Sequence, residues 1–184
     1  MEILSKLNNK NIENCIITIG NFDGFHIGHA NIIKTINKLA ISKSSKSLLI
    51  TFNPSPREVL SNSCNNYLIT SFNKKMELLG DSGLDFVYVV DFDESFAAME
   101  ANDFIENFLV EKFKPSDIVI GYDHFFGRDR EGSFELLNQY KSKFSYELHK
   151  IDKIKFANLD VKSNIIRNLI KNGNISKTND LLGR

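Results

Sequence analysis

The chain has 184 residues, 42% hydrophobic and 25% charged, enough for one domain whose core is stable without disulfides or metals. Its 23 basic and 23 acidic side chains cancel, so there is no general attraction for nucleic acid or an anionic membrane surface. No stretch approaches the roughly 18 apolar residues of a membrane span, and residues 1–14 lack a signal-peptide core; the expectation is a cytoplasmic protein with reduced thiols at Cys15 and Cys64.

Residues 15–19 form a short run dominated by β-branched side chains, as in a strand buried in a parallel sheet. Glycines at 20, 24 and 28 then punctuate a turn that leads into a helix over 28–41, with Ile32, Ile33, Ile36 and Leu39 on one face. A polar loop, 42–47, precedes a second strand at 48–52, and Pro54 and Pro56 stiffen the segment after that strand. Residues 61–66 read as a Ser/Asn-rich loop before a helix at about 71–80, which Gly80 and Gly83 are available to end. A third strand at 86–90, a helix at 101–113 and a fourth strand at 117–120 come next, with Phe104, Ile105, Phe108 and Leu109 on the core face of the helix. Residues 121–132 mix glycines, aromatics and the cations Arg128 and Arg130. A helix at 133–142 and a strand at 146–151 come after them, and the chain finishes with helices at 164–171 and 175–182, split by Asn172-Gly173-Asn174. No internal repeat is visible. The alternation predicts an α/β fold with a five-stranded parallel sheet flanked by helices, in a single domain over 1–184. In such sheets ligands bind beyond the carboxyl ends of the strands, which gathers the loops after residues 19, 52 and 120 on one edge.

The first of these loops carries the chemistry. Gly20-Asn21-Phe22-Asp23-Gly24-Phe25-His26-Ile27-Gly28-His29 joins a strand to a helix, whose unpaired N–H groups and positive dipole end favour an anion. His26 and His29 fall at that end, where imidazoles donate to phosphoryl oxygens as charge develops in phosphoryl or nucleotidyl transfer. Two histidines three apart also suit a metal half-site, but four histidines in all and two distant cysteines offer no compact ligand set, so no protein-bound metal is expected. Asp23 reads equally as a turn residue or as a partner of a phosphate-bound ion. Arg57 suits a phosphate or a plain surface position, Phe125 and Phe126 suit a stacked ring or the core, and Ser163 with Arg167 suit a phosphate or a helix cap.

Four segments resemble one family in order. They are Gly20 to His29, Thr51-Phe52-Asn53-Pro54-Ser55-Pro56-Arg57-Glu58, Gly121-Tyr122-Asp123-His124-Phe125-Phe126-Gly127, and Val161-Lys162-Ser163-Asn164-Ile165-Ile166-Arg167. The first resembles the HxGH signature of the nucleotidyltransferase superfamily, and the set resembles the adenylyltransferase (FAD synthetase) module of bacterial bifunctional riboflavin kinase/FMN adenylyltransferase. The resemblance implies a Rossmann-like nucleotidyltransferase fold and transfer of AMP from ATP to FMN, giving FAD and pyrophosphate, with Mg²⁺ accompanying ATP. It implies His26, His29 and Arg167 as catalytic residues. Gly20, Asn21, Phe22, Asp23, Gly28, Gly121, Asp123 and Ser163 would bind ATP. Phe52, Asn53, Pro54, Pro56, Arg57, Phe125, Phe126 and Gly127 would bind FMN.

Against the family pattern, His124 stands where Phe is usual, Phe125 where a basic residue is usual, and Lys162 and Asn164 where hydroxyl residues are usual. Two alternatives stay open: another HxGH nucleotidyltransferase with a different acceptor, and a flavin- or ATP-binding remnant without catalysis. The full-length enzymes of this family continue beyond a Leu-Leu-Gly-Arg sequence into a riboflavin kinase domain, whereas this sequence stops at Leu181-Leu182-Gly183-Arg184; the resemblance therefore implies FAD synthesis without riboflavin phosphorylation. Oligomeric state is not legible.

Overall fold

A computed structural model describes residues 1–8, 10, 12–60 and 68–184. The predicted loop at 61–66, with Cys64, lies outside the described residues. The chain runs β1 (Glu2–Leu4), β2 (Ile16–Ile19), α1 (Ile27–Ser42), β3 (Ser47–Phe52), α2 (Pro56–Leu60), α3 (Phe72–Gly80), β4 (Phe86–Val90) and α4 (Glu94–Ala97). A continuous helical stretch comes next, α5 (Ala101–Asp103), a π-helical segment (Phe104–Val110) and α6 (Glu111–Phe113). Then come β5 (Asp117–Gly121), a 3₁₀ turn (Arg128–Arg130), α7 (Phe134–Phe144), β6 (Glu147–Ile151), the short pair β7 (Lys155–Phe156) and β8 (Leu159–Asp160), α8 (Ser163–Lys171) and α9 (Ile175–Leu182).

The main sheet has six strands in the order β1-β4-β3-β2-β5-β6, every pair parallel. The expected five are all present. The sixth, β1, escaped the sequence pattern because it has three residues and two of them are exposed, so neither period nor length marks it. The separate β7–β8 hairpin was likewise too short to register.

The central strands read as unbroken apolar runs because helices cover both faces. On one face Ile17, Leu48, Ile118 and Ile120 pack against Phe104, Ile105 and Leu109; on the other Ile16, Leu49 and Val119 pack against Ile33, Ile36 and Leu79. A third, smaller cluster joins Val161, Ile166 and Leu181 to Ile27 and Ile69, which seats the α8–α9 pair beside the loop after β2. The strand order reverses direction at β2, whose neighbours are β3 on one side and β5 on the other, making the carboxyl end of β2 the topological switch point. Among the described residues no helix is long and apolar enough to cross a membrane. Cys15 is a buried free thiol, pushed up to about 12 by desolvation.

Candidate active site

Residues 20–29 occupy the switch point. Gly24 has a φ of +80°, and a Cβ there would meet the Ile69 side chain at 3.0 Å, so the turn needs glycine on both counts. His26 takes the N-cap position of α1, where its Nδ1 accepts the His29 backbone N–H at 3.2 Å. That bond leaves Nδ1 unprotonated and puts the proton of a neutral ring on Nε2. Gly28 makes room for the arrangement, since a Cβ would lie 3.1 Å from the His26 ring.

The His26 and His29 rings stack with centroids 3.6 Å apart, and Phe22 backs His29 at 4.5 Å. Burial lowers His26 to about 4, offset only in part by a backbone hydrogen bond and then by Asp123 and Asp23. Desolvation, then the neighbouring His26, then Lys75, hold His29 well below the ordinary imidazole value. Both rings are therefore neutral at pH 7. His29 is half-buried as a residue, and its Nδ1 is buried without a partner.

Asp23 ties its loop to distant parts of the chain. Its carboxylate, 4% exposed, accepts the Ile69 N–H at 3.0 Å and the Thr70 N–H at 3.1 Å, and pairs with the Arg167 guanidinium. Ser163 Oγ donates to the Asp23 carbonyl at 3.1 Å, and Arg184 donates to the carbonyls of Gly24 and Phe25 at 2.9 and 3.2 Å. The helices at the end of the chain thus clamp the loop after β2. Ser163 and Arg167 both meet Asp23, in the loop that carries the histidines, with Arg167 buried in the clamp rather than open to solvent.

After β3, Asn53 N–H donates to Val90 O at 2.9 Å, the Asn53–Pro54 peptide is cis, and α2 begins. This short helix was not predicted. Its signal is present as Ser55-Pro56-Arg57-Glu58: Glu58 accepts the Ser55 N–H at 2.8 Å as in a capping box, with Pro56 at the first helical position. Ser55 Oγ also accepts from Asn21 Nδ2 at 2.8 Å, which joins this loop to the one after β2. Phe52 packs edge-on against Phe92 at 5.5 Å, and Arg57 is exposed. A small cleft lies between the two loops, bounded by Asn21, Asp23, Phe52, Asn53, Phe72 and Lys75.

After β5, Gly121 ends the strand with ordinary contacts only, and Asp123 pairs with Lys162 at 3.3 Å. Lys162 also sits 4.9 Å from the Tyr122 ring centroid, at the start of α8. Phe125 is 48% exposed under the Arg130 guanidinium, at 4.9 Å. Phe126 goes to the core instead, 5.0 Å from Phe104, and Gly127 is there for close packing, since a Cβ would lie 2.8 Å from Ala101 Cα. Phe22 is equally a core ring, stacked on His29.

The sequence reading missed Lys75. Phe72, Lys75, Met76 and Leu79 mark one helical stripe, and a lysine at a stripe position was the available signal. Among the described residues no group of three or more His, Cys, Asp and Glu side chains could hold a metal ion.

Residues 8–165 match a family model described as FAD synthetase. Among curated proteins, the bifunctional riboflavin kinase/FMN adenylyltransferase of Buchnera aphidicola subsp. Acyrthosiphon pisum (strain APS) is 33% identical over 93% of this chain and 55% of its own length. The proteins of the same name from Escherichia coli (strain K12) and Listeria monocytogenes serovar 1/2a (strain ATCC BAA-679 / EGD-e) are 29% and 32% identical, over 55% and 54% of their lengths. The chain therefore spans about half the length of these relatives. A crystal structure described as a macrolide-efflux protein from Streptococcus pneumoniae superposes with a TM-score of 0.87 at 25% identity, covering 100% of this chain and 62% of the other.

Proposed function

The chain belongs to the FAD synthetase family, and on that footing we propose that it transfers the adenylyl group of ATP to FMN, giving FAD and pyrophosphate. The observation that carries the reading is the stacked, neutral His26–His29 pair at the N-terminus of α1, set at the switch point of a parallel sheet.

In this reaction an FMN phosphate oxygen forms a bond to the α-phosphorus of ATP as the bond to the β-phosphate bridging oxygen breaks, and pyrophosphate leaves with the electron pair. The nucleophile is already an anion, so no protein base is needed; positioning and charge stabilisation supply the rate. A neutral His26 presents its Nε2–H to phosphoryl oxygens without having to hold a buried positive charge, and the amides that open α1 add to it. His29 acts beside it through Nε2. The ATP side comprises the backbone of residues 20–23, Gly28, Gly121, Asp123 and Ser163. Arg167 serves catalysis by holding Asp23, and with it the loop that carries both histidines.

Mg²⁺ bound to the triphosphate would supply charge neutralisation for the leaving pyrophosphate, keeping most of its waters and needing few protein ligands. That fits the donors present: the Asp23 carboxylate is already satisfied, and the carboxylate of Asp123 stands half-exposed beside His26. On the FMN side stand Phe52, Asn53, Pro54, Pro56, Arg57 and the exposed Phe125. The zero net charge supports small-molecule substrates rather than nucleic acid, in a cytoplasmic setting as the family reading suggests.

Incubation with ATP and Mg²⁺ plus either FMN or riboflavin, followed by chromatography of the flavins, tests the proposal. FMN is converted to FAD, with the riboflavin reaction as the control for acceptor choice. His26→Ala and His29→Ala each lower kcat by about 100-fold or more with little change in FMN affinity. Absence of FAD from the wild-type reaction, or unchanged turnover in either variant, refutes it.

A further inference from the structure

Lys75 is an anomaly of burial. It lies on the apolar stripe of α3, 5% exposed, where Met or Leu would fill the same space without the cost of desolvating a charge. Its ammonium has three N–H bonds and the structure gives it three acceptors: the Asn21 carbonyl at 3.1 Å, Thr51 Oγ1 at 3.1 Å and the Phe52 carbonyl at 3.2 Å. Asn21 belongs to the loop after β2, and Thr51 and Phe52 are the last two residues of β3. Thr51 Oγ1 itself donates to Asn21 O at 3.1 Å and closes the network. With all three donors committed to the protein, the ammonium has none left for a phosphate, so it acts through the backbone it holds.

Resting on the reading of the site given above, we propose that Lys75 is a positioning residue of adenylyl transfer. It fastens the end of β2 to the end of β3, so that the loop carrying His26 and His29 and the loop carrying Asn53 to Arg57 keep one separation. The two reactants bind on different loops, and in-line attack tolerates little error in their distance, so a rigid tie between the loops bears on rate rather than on fold alone. The cleft between the loops is bounded by Lys75 on one side, which places the tie at the junction of the two substrate regions.

The charged and titratable groups facing the ammonium are Asp23 before α1, Glu58 on α2 and His29 on α1. The carboxylates favour the charged form, but burial outweighs them and lowers Lys75 to about 8. Above that pH a neutral amine has two donors for three acceptors, and the tie weakens.

The test compares wild type with Lys75→Met and with Thr51→Val, which removes one acceptor and leaves the charge. In Lys75→Met, kcat/KM falls by roughly 10- to 100-fold, with more of the loss in kcat than in the KM for ATP. Thr51→Val loses less. Wild type also shows a fall in rate above about pH 8 that Lys75→Met lacks, a difference that a purely structural role would not create. Hydrogen exchange supplies a readout independent of activity: peptides over 20–25 and 52–58 exchange faster in Lys75→Met, and in Thr51→Val the first of them does. A folded Lys75→Met with wild-type kcat/KM, an alkaline limb that persists in it, or unchanged exchange in both segments overturns the inference. If wild type makes no FAD, the reading of the reaction fails, while the exchange comparison still decides whether Lys75 ties the loops.

Discussion

The buried, neutral state of His26 ties the site to acid stability. In the unfolded chain this imidazole titrates at its ordinary value of 6.5, whereas in the fold it is lowered to about 4, chiefly by desolvation. A depressed histidine means that the unfolded state takes up a proton first on acidification. The stabilisation is thus fully present above pH 6.5, begins to fall as pH drops through that value and is fully lost near pH 4. Over the whole window the shift is worth about 3 kcal/mol, and between pH 7 and pH 5 it is worth about 2 kcal/mol. Because His26 is buried, solvent screening does not erode the figure.

Urea melts of wild type and His26→Gln at pH 7 and pH 5 measure it. Wild type loses about 2 kcal/mol more than the variant between the two pH values, seen as a midpoint drop larger by about 1 M. Carboxylates contribute alike to both proteins and cancel in the comparison. His29 is depressed partly by His26, so removing His26 also weakens the contribution of His29, in the same direction. Equal pH dependence in the two proteins would refute the claim that the loop holds this ring neutral, and with it the reason for assigning a neutral donor at Nε2.

Two further substitutions probe what supports the site. Asp23→Ala strands the Arg167 guanidinium, 7% exposed, without its carboxylate, and frees two backbone amides; a loss of about 3–5 kcal/mol and a Tm lowered by roughly 6–20 °C are expected, partly restored when Arg167→Met is added. A melt within about 2 °C of wild type would show that the clamp does not hold the loop. Gly127→Ala forces a Cβ to within 2.8 Å of Ala101 Cα at a φ of +72° and ψ of 175°, a backbone region nearly confined to glycine. Strain and overpacking together cost about 2–6 kcal/mol, read by thermal unfolding, and a wild-type melt would mean that Ala101 yields.

What could be read beforehand was local. The strand, turn and helix at 15–41 announce themselves because β-branched residues, glycines and a 3.6-residue apolar period succeed one another without interruption, and the structure differs there by one residue at each end of the helix. β1 and α2 were missed because three and five residues hold too few turns of any period, although the Ser55-x-x-Glu58 capping signature was there to be read. The stretch at 101–113 reads as an ordinary amphipathic helix, and nothing in its spacing discloses the π-helical geometry of Phe104–Val110. Phe125 and Phe126, adjacent in sequence, end on opposite sides of the solvent boundary, a matter of loop geometry that residue type does not encode.

The site divides along the same line. Groups that would touch phosphate sit within one loop and one helix turn, so His26, His29 and Gly28 were legible together. The groups that hold them arrive from far away: Arg167 reaches Asp23 across 144 positions, and Lys75 reaches Asn21 across 54. Such partners satisfy charges and carbonyls that the loop cannot satisfy from within, because three glycines and two ring-stacked histidines leave it few side chains of its own for internal bonds. Asp23 shows the limit most clearly. Its position in a Gly-flanked turn suggested either a local cap or a partner for a phosphate-bound ion. In the fold the Ile69 and Thr70 amides and the Arg167 guanidinium engage both of its oxygens, so the carboxylate anchors the loop that carries the histidines through partners that lie far off in sequence.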